Sequence, residues 1–168
     1  MSKVKLLPGG GMTVEYQLTE VNGGEPSVVD YNATHTRTAH PDLLQKFNAL
    51  RPIFGRVFGV SAFLAFLREK KYEEMQDAER FADGLLDCYE VRSVAWAGTG
   101  NAVVLGAVFK TDTNFKTAVN TPRIKTDLET WGFEEELCDI LDSIENEVYE
   151  YLFCGKQAQM SLFGQEDE

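Results

Sequence analysis

Between Phe133 and Leu152 the apolar residues step along the chain by four, three, one, three, four, three and one: Phe133, Leu137, Ile140, Leu141, Ile144, Val148, Tyr151, Leu152. A period near 3.6 places all of them on one stripe of an α-helix. Glu134, Glu135, Asp139, Asp142, Glu145, Glu147 and Glu150 fall on the opposite face. Such a stripe needs a second apolar surface to cover it. Gly155 stands where a helix stop is expected.

Strand patterns fill much of the chain before this helix. Met12, Val14, Tyr16 and Leu18 alternate with Thr13, Glu15, Gln17 and Thr19, the period of a half-buried strand over residues 12–20. Residues 4–7 make its neighbour across the turn Pro8-Gly9-Gly10-Gly11, and residues 27–38 make another, after Asn22-Gly23-Gly24. Helical punctuation follows at His40-Pro41-Asp42, with Leu43, Phe47 and Leu50 at helical spacing until Pro52 disrupts the pattern. Residues 61–86 read as a second, broken helical region. Tyr89, Val91, Val94 and Trp96 alternate with a slip near Ser93; residues 102–111 and 115–121 then complete a three-stranded meander. The expected fold class is α+β: a single domain over residues 1–155, with an antiparallel sheet, a central helical segment and a long C-terminal amphipathic helix. Residues 156–168 are expected to form a flexible docking tail.

A chain of 168 residues, 43% hydrophobic and 26% charged, can bury a core and should fold as one domain. No apolar run approaches the roughly eighteen residues a membrane span needs, and the N-terminus breaks at Pro8 before a signal-peptide core could form. The expected compartment is the cytoplasm. The net charge of −11 is uneven. From Asp127 onward there are thirteen acids and one base, Lys156; the preceding 126 residues hold fourteen acids and fifteen bases. The acidity belongs to the last helix and the tail, leaving a nearly neutral body with no dense basic patch for nucleic acid.

No catalytic or cofactor signature stands out. Cys88, Cys138 and Cys154 form no Cys-x-x-Cys pair and suit reduced thiols, with buried packing expected for the last two. His35 and His40, near Asp30 and Asp42, are metal-ligand residue types, but an offset of five on an extended segment sends the imidazoles to opposite faces. Glu135, Asp139 and Asp142 share one helix face and could hold a divalent metal as nuclease carboxylates do; a solvated face opposite the apolar stripe accounts for them as well. The same row of carboxylates could mimic DNA phosphates. Gly9-Gly10-Gly11 and Gly98-Thr99-Gly100 lack the lysine and strand-to-helix setting of a phosphate loop and read as turns. Tyr89, Trp96 and Phe115 could stack bases, although strand spacing favours the core.

Past the helix stop the chain reads Lys156-Gln157-Ala158, then Gln159, Met160, Ser161, Leu162 and Phe163, then Gly164-Gln165-Glu166-Asp167-Glu168. The five residues from Gln159 resemble the pentapeptide (Gln-Leu-Ser/Asp-Leu-Phe) with which bacterial replication and repair proteins grip the DNA polymerase sliding clamp. Met160 stands where leucine is usual. The resemblance implies that Leu162 and Phe163 enter an apolar pocket, each contributing roughly 1.5–3 kcal/mol. It also implies that Gln159 sets the register through its amide and that Met160 fills the groove. The body resembles small proteins of bacteriophages and integrated elements at His40-Pro41-Asp42-Leu43 and at Glu147-Val148-Tyr149-Glu150-Tyr151-Leu152-Phe153 before Gly155-Lys156. The expectation is therefore a phage or mobile-element accessory protein whose partner is the bacterial sliding clamp, with no cofactor and no membrane. The alternatives are a metal-dependent DNA-processing enzyme delivered by the clamp, and an acidic DNA mimic or structural protein in which Leu162 and Phe163 pack on the domain.

Overall fold

Alternating apolar residues do form strands here, and both clear helical patterns lie against them. The structure, a computed structural model, describes residues 1–22, 25–58, 89–98, 100–110, 116–127 and 132–156. The elements run β1 (Lys3–Leu6), β2 (Met12–Asn22), β3 (Glu25–His35), α1 (Pro41–Val57), β4 (Tyr89–Ala97), β5 (Ala102–Lys110), β6 (Lys116–Asn120), β7 (Ile124–Lys125) and α2 (Glu134–Phe153). The helical reading of residues 61–86 lies outside the described residues.

The strands form one antiparallel seven-stranded sheet in the order β3-β2-β1-β4-β5-β6, with β7 also paired to β5. The expected three-stranded meander is β4-β5-β6. Its slip near Ser93 is a β-bulge: Val91 faces Ala107 and Ser93 faces Gly106, which leaves Arg92 as the extra residue. β6 covers Gly106 to Lys110 of β5, and β7 covers Ala102 and Val103. Thr121 bridges the gap between them. Its hydroxyl accepts from the Leu105 N–H at 3.0 Å, and its own N–H donates to the Leu105 carbonyl at 2.9 Å.

Val4, Val14, Val94 and Leu105 project from one face of the sheet into the core. Leu43, Phe47 and Leu50 of α1 and Leu137, Leu141, Ile144 and Val148 of α2 are buried with them. Each such side chain contributes roughly 1.5–3 kcal/mol. The two helices are antiparallel, because ion pairs tie opposite ends: Arg56 to Glu136 at 2.7 Å, and Lys156 to Asp42 at 3.3 Å.

Three expectations need correction. Pro52 does not end α1, which runs on to Val57 because Ile53 and Phe54 are buried beyond it. Glu134 is not on the solvated face of α2 but is buried, its carboxylate accepting from the Phe133 N–H at 2.9 Å. Cys154 is exposed rather than packed, because α2 ends one residue before it; Cys138 is half-buried. Cys88 lies outside the described residues.

Candidate partner-docking end

The C-terminal end of α2 gathers the features that bear on the tail. Gly155 adopts φ of 71°, a left-handed conformation that glycine enters without steric cost. The turn brings the Lys156 N–H back to the Glu150 carbonyl at 3.1 Å, an oxygen that also accepts from the Cys154 N–H. The Lys156 ammonium then sits among three carboxylates, at 2.7 Å from Glu147, 2.9 Å from Glu150 and 3.3 Å from Asp42. The hydrogen bonds it donates to Glu147 and Glu150 hold its pKa well above the ordinary lysine value. Lys156, read from sequence as tether, is thus fastened to the body. Only Gln157-Ala158 separates it from Gln159.

The N-terminus of α1 is built into the same end. The His40 imidazole Nδ1 accepts from the Asp42 N–H at 3.2 Å and caps the helix. The His40 N–H donates to the Tyr151 hydroxyl, whose pKa is raised chiefly by burial. The His35 ring meets Tyr151 edge-on at 6.5 Å. A cavity of about 260 Å³ opens between residues 34–38 and Tyr151, Gly155 and Lys156. The two histidines therefore serve packing and capping. Among the described residues no group of three or more His, Cys, Asp or Glu side chains is placed to hold a metal ion. Glu135, Asp139 and Asp142 stand exposed along α2.

An aromatic shelf lies alongside. β1 pairs with β2 only as far as Glu15, so among the described residues the β2–β3 hairpin beyond that point has no further strand partner. At its base Tyr16 and Tyr31 stack at 5.3 Å. Phe153 meets Tyr16 edge-on at 6.0 Å and touches Tyr149 at 4.9 Å. The Tyr31 hydroxyl donates to Glu20, which raises its pKa. Tyr149, Phe153 and Leu18 remain 58%, 49% and 38% exposed. Sequence reasoning missed this shelf. Its signal was an aromatic pair four residues apart, Tyr149 and Phe153, lying off the main apolar stripe of α2 among acids.

A second concavity, of about 500 Å³, lies on the sheet face away from the core, where Lys3, Lys5, Arg92, Ser93 and Asn120 surround Gly106. Lys3 pairs with Glu15 at 3.6 Å and Arg92 with Glu90 at 2.6 Å. Two of its three cations are thus compensated by neighbouring carboxylates. The base-stacking candidates are not displayed on it: Tyr89 is buried and Trp96 packs against the core. Phe115 lies outside the described residues, as do Gln159, Met160, Ser161, Leu162 and Phe163.

No protein-family model, curated protein or solved structure matches the chain. Among the described residues no helix is long and apolar enough to cross a membrane.

Proposed function

We propose that this protein docks on the bacterial replication sliding clamp through Gln159, Met160, Ser161, Leu162 and Phe163, as an accessory of phage or mobile-element DNA metabolism. The observation that carries the reading is the pentapeptide itself, two residues beyond an anchored helix end. That placement supports the reading, since a docking peptide must leave the domain at a defined point. Leu162 and Phe163 supply the apolar burial and Gln159 the register. The loss of tail freedom offsets several kcal/mol of the gain, so one site should bind on the order of micromolar.

The test is calorimetry or fluorescence anisotropy against a purified bacterial sliding clamp, with wild type beside Leu162→Ala/Phe163→Ala. Micromolar binding abolished in the double variant is the expected result. Absence of wild-type binding, with the double variant losing thermal stability instead, would favour a tail that packs on the domain.

A further inference from the structure

We propose that the aromatic shelf formed by Tyr149, Phe153 and Tyr16 is a second contact with the clamp, made beside the peptide pocket. The inference rests on the docking reading above and adds a partner surface to it. The short tether between Lys156 and Gln159 limits where a bound clamp can lie. Lys156 is held by three carboxylates and one backbone hydrogen bond. From Lys156 to Gln159 the chain spans three residue steps, which reach at most about 11 Å when fully extended. A clamp that grips Gln159 therefore lies against the end of α2 and cannot hold the body at a distance.

The surface presented there is suited to burial. Phe153 is three residues from Lys156, and Tyr149 is one helical turn further back. Tyr149 and Phe153 remain 58% and 49% exposed, and Phe153 joins both Tyr149 and Tyr16 in one continuous aromatic surface. Isolated exposed apolar residues are ordinary, but a contiguous group of large ones marks an interaction surface. Tyrosine and phenylalanine lose little conformational freedom when covered, which makes them effective anchors. The three acids nearest the tail root are already bound to Lys156, so covering this end does not strand an unpaired carboxylate from that group.

The experiment measures clamp affinity of the full chain in four forms. These are wild type, Tyr149→Ser/Phe153→Ser, a ten-residue Gly/Ser insertion between Lys156 and Gln157, and the two changes combined. The shelf variant is expected to bind about tenfold more weakly. The insertion is expected to weaken binding severalfold, because a long tether lowers the effective concentration of the second contact. In the combined form the insertion should have no further effect. Unchanged affinity in the shelf variant overturns the inference while leaving peptide docking intact. Tighter binding also overturns it, and would mean that the shelf holds the chain's own Leu162 and Phe163. No wild-type binding overturns the docking reading and this inference together. Thermal unfolding accompanies each form; if Phe153→Ser fails to fold, Tyr149→Ser with the insertion series gives the same discrimination.

Discussion

The Lys156 ammonium lies 3.3 Å from the Asp42 carboxylate, joining the end of the last helix to the first turn of the first. Glu147 and Glu150 complete its surroundings and raise its pKa above the ordinary 10.5. A lysine whose folded value lies above its unfolded value contributes stability that is fully present below the unfolded value. The contribution is lost only as pH rises through the folded one. Lys156→Met should therefore unfold at lower temperature than wild type at neutral pH. The gap should persist up to pH 10.5 and narrow only above it. Melting curves of both proteins across that range check this; a gap that closes between neutrality and pH 10.5 would contradict it.

Gly11 is placed where the loop after β1 meets the end of β3. A Cβ there would stand 2.2 Å from the His35 carbonyl oxygen and 3.1 Å from the Thr36 Cα, both backbone atoms that cannot swing aside. Gly11→Ala should lower stability by about 1–3 kcal/mol. Gly9, two residues earlier, has nothing within 4 Å of such a Cβ, and Gly9→Ala should stay within about 0.5 kcal/mol of wild type. Urea denaturation of the pair measures the difference.

Thr121 replaces a strand partner with a hydroxyl. In Thr121→Val the Leu105 N–H would lose its acceptor inside the protein, at a cost of about 1–3 kcal/mol. Thr121→Ser keeps the oxygen and should retain most of the stability. Equal unfolding midpoints for the valine and serine variants would show that the hydroxyl is not what matters.

Pro52 lies at an exposed position inside α1 and cannot donate to the carbonyl one turn before it. Alanine is about 3 kcal/mol better than proline in a helix interior. The stiffer unfolded chain of the wild type returns up to about 1 kcal/mol of that difference. Pro52→Ala should therefore stabilise the protein by about 2 kcal/mol, read as a raised denaturation midpoint with unchanged slope.

What the sequence disclosed follows from local periodicity. The stripe from Phe133 to Leu152 locates α2 to within a residue at its start, and the slip near Ser93 marks the bulge. Pro52 misled because buried Ile53 and Phe54 outweigh a local penalty. Glu134 misled because helical spacing does not show that the first turn is covered. The Lys156 cluster and the shelf were illegible for one reason. Asp42 and Lys156, like Tyr16 and Phe153, become neighbours only when the sheet and both helices are assembled. Gln159 to Phe163 stand out in the sequence as a short pattern; they lie outside the described residues, and docking through them is the proposal made above.

At the far edge of the sheet, β3 runs for eleven residues, and β2 is its sole strand partner among the described residues. Val28 is 65% exposed on it, and Val21 on the neighbouring strand is 69% exposed. An open edge of this length is a template on which another extended chain can add. Pro26, which has no N–H to offer, and the charged Asp30 are the natural obstacles to that growth. Replacing both with valine would remove the gatekeepers and convert the same edge into a nucleus for fibrous aggregation.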